Sequence, residues 1–359
     1  MRGSLRRGSG LLEQLIVLIS VRLAIDTNKI FYSRRKPVNF LLRIINPNAC
    51  PARAGFQRAQ PLVHCRRAMK PRPDGKAVYF TTDISPEGLM RVYEALGADP
   101  TGSIAVKITT GEPPNSNYLR PKLIKDLVQS LDGTIVECNT AYYGRRRNTE
   151  FHLQVAKDHG FTDIAAVDIM DSEGEIGLPV TGGEILTENF VGANFPIYDY
   201  YVILSHFKGH QMSGYGGAIK NVSIGIASAS GKSWIHSGGQ YRTGFDGNQD
   251  DFLKSMAEAG KSVSDYLDGN ILYINVMNRL SIDCDCNGYP AEPDMHDVGI
   301  LASYDPVALD QACIDIVAAD PNGESLMRRI ESQNGLLTLE HSAKIGLGDR
   351  EYNLVNIDD

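Results

Sequence analysis

From Lys76 onward, two patterns of apolar and polar positions alternate along the chain. Short apolar runs, of the length a buried strand needs, fall at residues 77–81, 103–108, 134–138, 164–167, 200–204 and 271–277. Between them lie stretches with helical signals. Ser85 stands as an N-cap before Pro86 at the first helical position, which opens a helix to about Leu96. Residues 121–131 are amphipathic, residues 149–159 end at Gly160, and residues 306–318 carry apolar side chains at spacings of three and four. This alternation predicts an α/β protein with a mostly parallel sheet flanked by helices. Its long glycine-rich connections, 209–217 and 225–239, are where such folds place their sites. No internal repeat is present.

Composition sets boundaries. The 359 residues are 42% apolar and 22% charged, values ordinary for a globular protein with a real core. The net charge of −7 hides an asymmetry: residues 1–76 hold 16 Lys and Arg against 3 acidic residues, leaving 20 basic and 40 acidic in the rest. An acidic body disfavours nucleic acid, which needs a basic face. No apolar stretch reaches the 18 residues of a membrane span, so no membrane partner is expected. The six cysteines, Cys50, Cys65, Cys138, Cys284, Cys286 and Cys313, form no dense disulfide framework, and the expected compartment is reducing, the cytoplasm. Residues 1–68 are Arg-rich and irregular. They read as a basic leader, with the apolar run 15–21 behind Arg2, Arg6 and Arg7, or as a non-native extension ahead of a start at Met69. In either case they are expected to be poorly ordered, with the body at 69–359.

The chemistry concentrates between His206 and His236. Ser205-His206-Phe207-Lys208-Gly209-His210 directly follows an expected strand and runs into Gly214-Tyr215-Gly216-Gly217-Ala218-Ile219-Lys220-Asn221, then Gly231-Lys232 and His236. Glycines let the backbone approach a ligand. Imidazole is the commonest metal ligand and the neutral-pH acid or base, and a desolvated lysine can act as nucleophile or anchor. The segment is neither a dinucleotide fingerprint nor a phosphate loop. The alternative is a solvated surface loop.

The run SHFKGHQMSGYGGAIKN, together with VKITTGEPPNSNYLRP (106–121), ECNTAYYGRRRNT (137–149), DCDC (283–286) and DVGILASYDPVALDQA (297–312), resembles the uncharacterised iron–sulfur-centre protein family, domain of unknown function 362. Many members carry an inserted ferredoxin-like module with CxxCxxC…CP runs. This chain has no CxxC, and its body holds only Cys138, Cys284, Cys286 and Cys313, so a four-iron cluster is not expected. The spacing His210-x9-Lys220-x15-His236 is also similar, more distantly, to the nickel-pincer lactate racemases. That resemblance implies Lys220 as a cofactor anchor and His210 and His236 as metal ligands or acid/base groups. The family's earlier histidine has no counterpart: Tyr142, Tyr143 and Arg145 stand there, which puts racemisation in doubt.

Secondary constellations complete the expectation. Two thiols at Cys284 and Cys286, two apart on extended chain, face the same way and form a metal or redox pair or a structural one; flanking carboxylates would raise their pKa. Asp294, His296 and Asp297 could complete a Cys/His/Asp site. Asp305 is an N-cap, and Asp305 and Asp310 either are solvated or orient a site lysine or histidine. Lys107, Glu112, Tyr118 and Arg120 follow a buried strand and read as substrate contacts, as do Tyr143, Arg145, His206 and Lys208. The expectation is two lobes around a cleft lined by loops 109–121, 139–147, 206–220 and 231–239. The catalytic set is His210, Lys220 and His236, and a metal ion could bind His210, His236, Cys284 and Cys286. The function expected is an oxidoreductase or isomerase acting on a small anionic metabolite. The alternative is a non-catalytic ligand-binding protein or an electron-transfer accessory that docks a ferredoxin.

Overall fold

The computed structural model describes residues 76–358. The expectations for residues 1–68 lie outside them. In chain order the elements are β1 (Ala77–Thr81), α1 (Pro86–Ala95), β2 (Ile104–Lys107), α2 (Pro121–Ser130), β3 (Thr134–Glu137), α3 (Thr149–Asp158), β4 (Val167–Ile169), β5 (Glu175–Pro179), β6 (Glu188–Gly192), β7 (Tyr200–His206), β8 (Lys208–His210), β9 (Gly214–Gly216), α4 (Ala218–Ser223), α5 (Ala229–His236), α6 (Gln249–Leu267), β10 (Ile271–Met277), β11 (Gly299–Ser303), α7 (Pro306–Ala319), α8 (Glu324–Ser332), α9 (Leu336–Lys344) and β12 (Asn353–Asn356).

Eight strands form one sheet in the order β12-β1-β11-β10-β7-β2-β3-β4. Only β11 runs against its neighbours; the other seven point the same way. This is the mostly parallel sheet the alternation predicts. Every residue of the central strands β7 and β10 is buried, as a sheet covered on both faces requires. Pleating sends Val202 and Leu204 to one face, where Leu89 and Val92 of α1 and Ile124, Leu127 and Val128 of α2 cover them. Tyr201 and Ile203 go to the other face, against Ala218, Ile219 and Val222 of α4 and Val307 and Ala308 of α7. Each fully buried aliphatic side chain contributes about 1.5–3 kcal/mol. A smaller packing unit sits beside the sheet: Leu186, Ile235 of α5, and Phe252, Leu253 and Met256 of α6 form their own apolar cluster, next to the hairpin β5–β6.

Capping at Ser85 and Asp305 matches the sequence reading, and Asn148 adds a cap that it did not name. Ser85 accepts from the Gly88 amide, Asn148 from Glu150, and Asp305 from Val307 and Ala308. One expected strand is displaced, and β5, β6, β8, β9, β11, β12, α4, α5, α6, α8 and α9 were not expected. The strand expected at 164–167 is displaced to Val167–Ile169, because Phe161–Asp163 forms a 3-10 turn and Ile164 and Ala165 pack on the core beyond it. The 19-residue α6 was not expected; Asn248 caps it, and Phe252, Leu253, Met256, Val263 and Leu267 build its buried stripe through many polar residues.

Candidate functional site

Parallel strands deliver their last residues to one edge of the sheet, and ligands of open α/β folds bind beyond it. Here β2 ends at Lys107, β3 at Glu137 and β7 at His206, in register: Lys107 is opposite Val136 and Ile203. A cavity of about 890 Å³ opens over these ends, lined also by α4, α5, the hairpin β8–β9 and loops 139–146 and 284–289.

The approach of α4 explains the glycines. A Cβ on Gly217 would lie 2.3 Å from the Asp310 carboxylate, and Gly214 adopts φ +79°. Asp310 accepts from the Ala218 and Ile219 amides at 2.7 and 3.0 Å and from Asn275, which fixes the start of α4; burial pushes its pKa up to about 6. Asn221 then donates to the Lys107 and Leu204 carbonyls and to Ser205, tying α4 to the ends of β2 and β7. Lys220, one residue earlier, is thereby set on the cavity wall. Of the two acids read as orienting groups, Asp310 anchors the helix that carries Lys220, while Asp305 caps its own helix.

Two buried ionic networks frame the cavity. In the first, Glu137 meets Lys107 at 3.0 Å and Arg146 at 3.2 Å, and accepts from the Thr110 amide; Arg146 also holds Glu112 at 3.2 Å. Burial alone would raise the Glu137 pKa, but Lys107, His152 and Arg146 outweigh it and hold the carboxyl well below its ordinary value. In the second, Asp285 meets His206 at 3.0 Å and Lys208 at 2.9 Å. Here too burial is outweighed, by His206 and Lys208, and the Asp285 pKa is lowered. The other ring nitrogen of His206 meets the Asn278 carbonyl at 2.6 Å.

His210, Lys220 and His236 contrast with these networks. Among the described residues the Lys220 side chain forms no ion pair or hydrogen bond, whereas Lys107 and Lys208 are paired and Lys232 donates to the Ala227 carbonyl. His236 ends α5, packs flat on Phe252 with Phe245 edge-on, and donates from Nδ1 to the Lys232 carbonyl at 2.7 Å. That bond leaves Nε2 as the lone-pair nitrogen. Burial, with help from Lys220 and Lys232, lowers the His236 pKa to about 4, so the ring is neutral at pH 7. Burial and the charges of Lys220 and Lys208 hold His210 well below its ordinary value as well. Its Nδ1 accepts from the Met212 and Ser213 amides at 3.1 and 3.0 Å. An amide can only donate, so the neutral ring carries its hydrogen on Nε2, which faces Cys286 Sγ at 3.6 Å.

The thiols Cys284 and Cys286 and a nitrogen of His210 lie within 4.8 Å of one another, close enough to hold a metal. The His210 tautomer does not fit that role, because a ligating nitrogen needs the lone pair that here is replaced by a hydrogen. His236 is not part of this cluster. The segment is also not extended: the Asn287 amide donates to the Cys284 carbonyl, closing a turn that brings the sulfurs together. Nor do carboxylates dominate. The hydrogen bond from Cys286 comes first, and with Lys220 and Lys208 it pulls Cys284 well below its ordinary value against burial; Cys286 is correspondingly raised.

Of the residues expected at the site, His210, Lys220, His236, Cys284 and Cys286 converge on the cavity, with Lys107, His206 and Lys208 in its paired wall and Tyr143 and Arg145 along its lining. Tyr143 is 92% exposed. Glu112 lines the cavity but is held by Arg146 and the Arg145 amide. Tyr118 and Arg120 lie elsewhere: Tyr118 is core, stacked on His159 at 4.2 Å, and Arg120 covers its ring and donates to Ser116. His296 pairs with Asp320, Asp297 accepts from Arg279, and Asp294 from Ser325, so none reaches the thiols. Glu137, which lines the cavity, and Asp285, which pairs with two residues of its wall, are the site residues that sequence reasoning missed. Glu137 was findable as the last residue of a strand; Asp285 needed the turn. Six Lys and Arg line the cavity against two carboxylates, Glu112 and Glu137, an environment that attracts an anion.

Among the described residues no helix is long and apolar enough to cross a membrane. No curated protein matches the chain. The lactate racemase apoprotein from Thermoanaerobacterium thermosaccharolyticum is 14% identical with a TM-score of 0.40, over 68% of this chain and 58% of that one. A Thermotoga maritima protein is 13% identical with a TM-score of 0.35, over 72% of this chain and 58% of that one. The chain therefore spans less than two thirds of either. Residues 104–315, which take in every residue lining the cavity, match the family described as domain of unknown function DUF362, and the chain belongs to that family.

Proposed function

We propose that the chain is an enzyme of the isomerase or oxidoreductase class that binds a small organic anion and moves a proton on it. The observation that carries this reading is an unpartnered Lys220 in a cation-rich cavity beside two neutral imidazoles. Lys220 and Arg145 hold the anionic group. His236 receives or returns the proton at Nε2, with its tautomer fixed by the Lys232 carbonyl. Paired charges in the wall exclude competing counterions and keep the strand ends in place. A metal-bearing cofactor of the kind the lactate racemase resemblance implies would be held by the free Lys220 amine and the His236 Nε2, which fit it, and would supply an electrophilic centre. Residues 206–236 are common to both readings.

The test is a panel of short mono- and dicarboxylates screened by thermal shift, followed by carbon-bound deuterium uptake from heavy water, with intact mass and elemental analysis of the same sample. Lys220→Ala is expected to weaken binding about tenfold or more, the loss of one charge-assisted contact. His236→Gln is expected to bind the anion and lose deuterium uptake. Equal binding by Lys220→Ala, or undiminished uptake by His236→Gln, would sink the proposal.

A further inference from the structure

The thiol pair has no part in that proton transfer, and its geometry carries a second chemistry. Cys284 and Cys286 both line the cavity. Extended chain would set residues two apart at about 6.7 Å, near the upper limit of about 6.8 Å between the Cα atoms of a disulfide. The turn closed by the Asn287 amide shortens that span. Asp285, between the two cysteines, points away from them into its pairing with His206 and Lys208, while its carbonyl accepts from the Glu112 amide at 2.8 Å. The turn is thus pinned from behind with both sulfurs forward. The Cys286 amide donates to Cys284 Sγ at 3.4 Å, and His210 Nε2 faces Cys286 Sγ at 3.6 Å. Each sulfur therefore has a hydrogen-bond donor suited to a thiolate, and the lysine beside them adds positive charge. The two remaining described cysteines lack this arrangement: Cys138 donates to the Ile226 carbonyl, and Cys313 accepts from Asn275 inside the core.

We propose that Cys284 and Cys286 are a redox-active dithiol that reduces a small disulfide entering the cavity. The proton the pair shares passes along their hydrogen bond from Cys286 to Cys284, and Cys286, the more exposed of the two, attacks as the thiolate. A bond forms between Cys286 and one sulfur of the substrate, the substrate disulfide breaks, and the expelled thiolate takes the Cys284 proton. Cys284 then attacks Cys286 in the mixed disulfide. The protein disulfide forms, and the second substrate thiolate leaves and takes a proton from water. Two electrons pass from the two protein sulfurs to the substrate, which departs as two thiols. His210 is a positioning residue: it donates a hydrogen bond to sulfur and keeps its own proton.

The experiment treats the reduced full chain with glutathione disulfide, itself a small anionic disulfide, and follows intact mass and peptide mapping. Wild type is expected to lose two hydrogens and to map a Cys284–Cys286 disulfide. Cys284→Ser is expected to trap glutathione on Cys286, and Cys286→Ser to slow adduct formation about tenfold. His210→Gln is expected to shift the pH profile of Cys286 alkylation upward, which a purely structural role would not do. His236→Gln, at a residue outside the thiol cluster, is expected to keep the disulfide while losing deuterium uptake, so failure of one proposal is distinguishable from failure of the other. Adducts confined to Cys138 or Cys313, or stoichiometric zinc that survives chelation and blocks both thiols, would overturn the dithiol.

Discussion

Two parts of the cavity wall are built from the same residue types and treated in opposite ways. Where β2, β3 and β7 end, each charge has a partner: Lys107 and Arg146 share Glu137, and His206 and Lys208 share Asp285. Across the cavity, on α4 and α5, Lys220 has no partner among the described residues and His236 keeps a free Nε2. Burying an unpaired charge is costly, so the folded chain leaves unpaired only a group that borders open space. The lesson is that a lysine in the motif does not by itself mark a site; the absence of a carboxylate beside it does.

The comparison breaks most severely at Glu137. Glu137→Ala strands a buried lysine and a buried arginine, and is expected to cost about 3–5 kcal/mol in denaturant unfolding. A loss under 1 kcal/mol would mean that the network is not structural. The next effect is acid lability. Glu137 and Asp285 both titrate below their ordinary range in the folded chain, so their stabilisation is complete above about pH 4 and drains as pH falls further through the depressed values. Urea midpoints between pH 7 and 3 should fall for the wild type and flatten in Asp285→Asn, which starts lower. Lys220→Ala sharpens the contrast from the other side. It is expected to change stability by no more than about 0.5 kcal/mol, because no partner loses its bond, while anion affinity drops. The smallest effect is at Arg120→Ala, where exposure and distance from the cavity predict neither a measurable stability change nor a change in binding.

Strands β1, β2, β3, β7 and β10 were legible because buried strands are continuous apolar runs, and the caps at Ser85 and Asp305 because each side chain satisfies amides within its own turn. The segment from His206 to His236 was legible for a different reason: a dense mix of Gly, His and Lys after a strand has few packing uses. What stayed hidden depends on contacts between distant residues. Tyr118 resembles any aromatic in a ligand loop until His159 stacks on it. The cysteine pair looked extended because the hydrogen bond that turns it joins Asn287 to Cys284 in a loop without a turn dipeptide. Helix α6 was masked by its polar majority, since only Phe252, Leu253, Met256, Val263 and Leu267 mark its buried stripe.

The proton arrangement of His210 is written in main chain. Met212 and Ser213 address its ring through their amides, and the Ser213 hydroxyl lies 3.0 Å from the same nitrogen, so the Met212 side chain can vary during evolution without removing a contact to the ring. Proline is the exception. At either position it would delete one of the two donors, and the imidazole would be freer to turn its lone pair toward the sulfurs.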